Sequence, residues 1–94
     1  MLTTGRRLRR PHIDICWTPN QAGHPRLGLV VFKGRETGVA RNRLRRRLKE
    51  IWRRGLQEHL PALDVVVRAR REAYGATFEE LRVDLAAFGE VARG

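Results

Sequence analysis

Eight basic side chains and a single acid, Glu50, lie between Arg41 and Arg54, and among them Leu44, Leu48, Ile51, Trp52 and Leu56 recur at intervals of three and four. That period gathers the apolar residues into one stripe of a helix and leaves the cations the rest of its circumference. Arg43, Arg46, Arg47, Arg53 and Arg54 fall opposite the stripe, with Arg45 and Lys49 on a flank. Like charges four residues apart, such as Arg41, Arg45, Lys49 and Arg53, repel by about 0.2–0.5 kcal/mol per pair. A solvated helix face would mix its signs; this one needs an apolar sheet beneath it and a polyanion outside it. Seven of the chain's net +10 charges reside in these fourteen residues, so nucleic acid is the expected partner.

The sheet is written on either side of this helix. Residues 12–18 alternate, with Ile13, Ile15 and Trp17 on one face and His12, Asp14, Cys16 and Thr18 on the other. After a Pro- and Gly-containing loop, Leu27–Lys33 repeats the alternation through Leu27, Leu29 and Val31, and the two runs are expected to pair as an antiparallel hairpin. The helix begins near Gly38 and ends before Pro61; Leu63–Ala69 is a third strand. Thr77 with Glu80 three residues on has the capping-box pattern, opening a last helix whose apolar face is Phe78, Leu81, Leu85 and Phe88. The order β-β-α-β-α predicts an α+β fold, a two-layer sandwich with both helices on one face of a small sheet. All 94 residues read as one domain, with residues 1–10 expected to be a basic, flexible arm.

Several chemistries are disfavoured. The longest apolar run, Leu29–Phe32, is too short to span a bilayer, and the basic start leads into no apolar stretch of signal-peptide length, so the cytoplasm is the expected compartment. Cys16 is the only cysteine, which excludes an internal disulfide. His12, Asp14 and Cys16 share a strand face, but a catalytic zinc site wants three well-directed ligands, and a partly exposed polar face accounts for them better. Trp17 and Trp52 fall on apolar stripes and are expected in the core rather than as base-stacking platforms. His24 and His59 read as a loop residue and a helix-terminal cation, and Glu79, Glu80 and Asp84 as acids favoured by the amino end of the last helix. Gly34–Gly38 lacks the spacing of a phosphate-binding loop, and no hydrolytic pair of side chains is visible.

The stretch Arg41-Asn42-Arg43-Leu44-Arg45-Arg46-Arg47-Leu48-Lys49-Glu50, preceded by Leu27-Gly28-Leu29-Val30-Val31-Phe32-Lys33, resembles the Arg-Asn-Arg signature of the bacterial ribonuclease P protein component. Asp64-Val65-Val66-Val67 with Ala69-Arg70, and the helix opened by Thr77-Phe78-Glu79-Glu80-Leu81, resemble that family's closing strand and helix. The resemblance implies a subunit of the ribonucleoprotein that removes the 5′ leader of precursor tRNA, one protein per catalytic RNA. Catalysis would come from Mg²⁺ bound chiefly by the RNA, with no catalytic residue on the protein. It implies RNA contacts by Lys33, Arg41, Asn42, Arg43, Arg45, Arg46, Lys49 and Arg53, and a leader cleft carrying His12, Cys16, Val30 and Phe32. Of these, Phe32 is the best candidate to stack on an unpaired base. It also implies a left-handed β-α-β crossover, against the usual preference.

The chain departs from the family pattern in two places. The family's N-terminal basic helix is expected to be missing, with Arg6, Arg7, Arg9 and Arg10 standing in for its surface. Gly34 replaces a common Lys, and Glu36 a common Gly. The runner-up function is a noncatalytic RNA-binding module of ribosomal-protein or RNA-chaperone type, which would share the fold and the charge. A membrane-surface module is disfavoured because Leu44, Ile51 and Trp52 are committed to the sheet.

Overall fold

The computed structural model describes residues 5–93. Strands β1 (Arg6–Arg9), β2 (Ile13–Pro19) and β3 (Arg26–Val31) precede helix α1 (Gly38–Gly55). Strand β4 (Leu63–Ala69), a 3-10 segment (Arg71–Gly75) and helix α2 (Phe78–Arg93) follow. Helix α1 starts where Thr37 Oγ1 accepts the Ala40 amide at 3.1 Å, satisfying one of the orphan donors of its first turn. At α2 the expected capping box is in place: Thr77 Oγ1 accepts from the Glu80 amide at 3.1 Å and Glu80 Oε1 from the Thr77 amide at 2.8 Å.

The strands form one sheet in the order β1-β2-β4-β3, antiparallel except for the parallel β3–β4 pair. The hairpin expected between the first two long runs therefore does not form. Strand β4, with Val65 and Val67 buried beneath the helices, lies between β2 and β3, and α1 makes the connection that a parallel pair requires. Nor is residues 1–10 a flexible arm throughout. Residues 1–4 lie outside the described residues, but Arg6–Arg9 is an edge strand, with Arg6 opposite Trp17 and Leu8 opposite Ile15. Leu8 packs against the core, and the Arg6 guanidinium sits 5.8 Å from the centre of the Trp17 ring, which anchors the edge.

Both helices cover the same sheet face. Leu44, Leu48, Ile51 and Trp52 from α1 and Leu81, Leu85 and Phe88 from α2 close over Ile13, Ile15, Trp17, Val65 and Val67, all buried. Trp17 meets Phe88 edge-on with centroids 5.0 Å apart, so both tryptophans are core residues, as their spacing requires. Two expectations for α2 fail. Phe78 is 40% exposed and lines a groove with Ile51 and Leu56 of α1. Asp84 is 2% exposed and is no helix-end acid: spaced three residues from Leu81 and four from Phe88, it lies on the buried stripe. There it accepts from His12 Nδ1 at 2.9 Å and pairs with Arg10 Nε at 3.5 Å.

Candidate nucleic-acid interface

Helix α1 carries its apolar stripe into the core and turns a cationic ridge outward. Arg43, Arg46 and Lys49 are exposed, and Arg45 and Arg47 half-buried. Among the described residues none of these five has an ion pair or a side-chain hydrogen bond. Asn42 is exposed beside them. Arg53 and Arg54 both reach Glu50, the one carboxylate on the ridge, and the Arg53 hydrogen bond foremost holds that carboxyl below its ordinary range. Arg41 is half-buried and donates to the Glu36 carbonyl at 2.9 Å, so it braces the loop before α1 while its charge adds to the positive amino end of the helix.

The sheet face away from the helices is open, and the strand registers lay out its side chains as a grid. Across the sheet, Arg9, Asp14, Arg68 and Val30 form one row; Arg7, Cys16, Val66 and Gly28 form the next; Thr18, Asp64 and Arg26 form a third. Arg7, Arg9 and Arg68 thus border an apolar trough of Cys16, Val66 and Val30, with an opening of about 350 Å³ between them. Of the four N-terminal arginines expected to supply this surface, only Arg7 and Arg9 do so; Arg6 covers Trp17 and Arg10 pairs with Asp84. Arg68 and Val66 escaped the sequence reading, although the alternation of Leu63–Ala69 assigns both to the face opposite Val65 and Val67. In the third row Arg26 Nε donates to Asp64 at 2.7 Å, and chiefly this bond, then that from Asn20, lowers the Asp64 pKa.

His12 leaves the cleft to which the alternation assigns it. It precedes β2 in a bend, and its ring turns to Asp84 on the helix side, away from Asp14 and Cys16. Among the described residues no three His, Cys, Asp or Glu side chains converge as metal ligands. Arg70 donates to the carbonyls of Arg10 at 2.6 Å and Pro11 at 2.8 Å and pairs with Asp14, so Asp84 and Arg70 together clamp the turn that carries β1.

Val30 and Phe32 lie on the open face, 52% and 44% exposed, and Lys33 is exposed just beyond. Phe32 is fixed at its backbone: its amide donates to the Ala69 carbonyl at 3.0 Å and its carbonyl accepts the Tyr74 hydroxyl. Burial, and secondarily the Glu36 charge, raise the pKa of that hydroxyl and keep it a donor. Gly34 sits where the chain turns back after Phe32. It has φ +45°, a conformation glycine adopts without strain, and a Cβ there would lie 2.3 Å from Phe32 Cε2, so a larger residue would displace the ring.

The ribonuclease P family model matches residues 1–92. The ribonuclease P protein component of Thermus scotoductus is 43% identical over 84 residues, 89% of this chain and 49% of its own length. That of Idiomarina loihiensis is 42% identical over 62 residues, 64% of this chain and 48% of its own length. The chain thus spans about half the length of these curated relatives. Among solved structures, the RNase P protein from Thermotoga maritima superposes with a TM-score of 0.83 at 26% identity, covering 97% of this chain and 86% of that one. A Staphylococcus aureus RNase P protein gives 0.83 at 26% identity, covering 95% and 82%. With the signature helix outermost on a fold shared across nearly its whole length, the chain belongs to the ribonuclease P protein family.

Proposed function

We propose that this chain acts in the cytoplasm as the protein subunit of ribonuclease P, assisting Mg²⁺-dependent removal of the 5′ leader from precursor tRNA. The observation that carries the reading is the ridge of α1, whose Arg43, Arg45, Arg46, Arg47 and Lys49 have no carboxylate partner among the described residues. Cations left unpaired by their own protein repel one another, and RNA phosphates remove that cost. The ridge grips the catalytic RNA with Arg43, Arg45, Arg46 and Lys49 foremost. Lys33, Arg41, Asn42 and Arg53 extend the contact. In this reading the Mg²⁺ is held chiefly by the RNA, and the chain contributes cations that bring the two RNAs together.

The open face is the site for the leader. Its trough of Cys16, Val66 and Val30 presents apolar surface to bases, Phe32 a stacking ring, and Arg7, Arg9 and Arg68 the charges for a phosphate backbone. Base stacking and phosphate contacts of this kind tolerate any base, which suits a strand of any sequence. Reconstitution with bacterial ribonuclease P RNA, comparing affinity for leader-bearing and mature tRNA, tests the reading. The holoenzyme should prefer the leader-bearing form, and Gly28→Val should weaken the preference by placing a side chain on the open face beside Val66. That variant should fold, because a Cβ at Gly28 meets only ordinary contacts, with Val66 Cγ2 at 3.8 Å. Equal affinity of the unsubstituted holoenzyme for both tRNAs would replace this reading with a noncatalytic RNA-binding module.

A further inference from the structure

On the helix side, away from the open face, the first turns of α2 and the end of α1 enclose a groove of about 330 Å³. Ile51, Leu56, Phe78 and Ala86 supply its apolar walls, and Arg54 and Arg82 stand at its rim. Phe78 is 40% exposed, whereas Leu81, Leu85 and Phe88 from the same helix are fully buried. The core therefore does not use this ring. A second copy of the chain is a poor fit, since a stable interface takes about 20–30 residues a side and seven line this groove.

The charge around the groove points to an anion. Arg54 follows Arg43 and Arg47 along one flank of the α1 ridge, and this flank already borders a second notch, lined by Arg43, Arg47 and Tyr74. The groove is thus continuous with the cationic surface assigned above to RNA. Arg54 pairs with Glu50 and Arg82 with Glu79, but all four side chains are exposed or half-exposed, and such pairs exchange readily for a phosphate. We propose that the groove takes an unpaired base of the same RNA, stacked on Phe78, with its flanking phosphates on Arg54 and Arg82. This inference rests on the RNA-binding reading of α1 and extends the contact to α2.

The test is the affinity of the full chain for bacterial ribonuclease P RNA across a salt series. Phe78→Ala and Phe78→Leu should each weaken binding about five- to 150-fold, the range expected for one base–aromatic stack. Their log–log salt slope should stay unchanged, because no phosphate contact is lost. Phe78→Trp should bind like the unsubstituted chain. The Leu and Trp variants keep an apolar side chain against Ile51 and Leu56, so their comparison separates stacking from folding. Arg54→Gln with Arg82→Gln should flatten the slope by about 1.4–1.8. If the unsubstituted chain binds with a steep slope that depends on Arg43 and Arg46, and Phe78→Leu binds equally well, this proposal is overturned while the α1 reading stands. The same holds if sedimentation shows Phe78 to govern self-association and not RNA affinity. If the unsubstituted chain does not bind the RNA, both readings fall.

Discussion

Replacing Arg43 and Arg46 together with alanine isolates the electrostatic role of α1. Both side chains are exposed, with no partner among the described residues, so the substitution leaves the core untouched and removes two cations from the ridge. If the ridge neutralises about six phosphates, each contributing about −0.7 to −0.9 to the log–log slope, the unsubstituted chain has a slope of about −4 to −5. A fourfold rise in salt then weakens it about 300- to 2,000-fold. Loss of two contacts brings the slope to about −3 to −3.6 and the same rise to about 50- to 150-fold. Fluorescence anisotropy of labelled ribonuclease P RNA between 50 and 200 mM salt resolves the difference. A double variant that binds more weakly with the original slope would refute the assignment of these side chains to phosphates.

Leu48 is 1% exposed at the centre of the α1 stripe, and Leu48→Ala should cost about 2–5 kcal/mol in a denaturant titration through the cavity it leaves. The Thr77 amide, as the largest cause, lowers the Glu80 pKa, so the stabilisation is present above the unfolded carboxylate pKa and is lost as pH falls through the folded one. Glu80→Gln keeps an acceptor for the Thr77 amide but cannot titrate. Its melting temperature at neutral pH should stay close to that of the unsubstituted chain, with a shallower fall toward acid; an unchanged acid limb would contradict the cap assignment.

The helical stripe of α1, the capping box at Thr77 and the burial of Trp17 and Trp52 were legible because each depends on spacing within one element. What escaped depends on partners distant in the chain. Strand β1 has one apolar residue, Leu8, which suffices for an edge strand but is hidden in a run of arginines. Pairing by chain adjacency favours a β2–β3 hairpin, yet β4 takes the place between them, antiparallel to β2 and parallel to β3, with α1 as the connection that the parallel pair requires. Position along α2 makes Asp84 a helix-end acid, whereas position around it, three residues from Leu81 and four from Phe88, puts it on the buried stripe. The ridge was legible almost residue by residue. The open face was legible only on β2 and β3, since Arg7, Arg9 and Arg68 join it through the sheet register.

Leader removal by bacterial ribonuclease P RNA, followed across a Mg²⁺ titration with and without this chain, measures how far its cations relieve the repulsion between two folded RNAs. Half-maximal cleavage should shift to lower Mg²⁺ when the chain is added, and the Arg43→Ala/Arg46→Ala chain should return it toward the RNA-alone value. An identical Mg²⁺ requirement in the presence and absence of the unsubstituted chain would contradict the account.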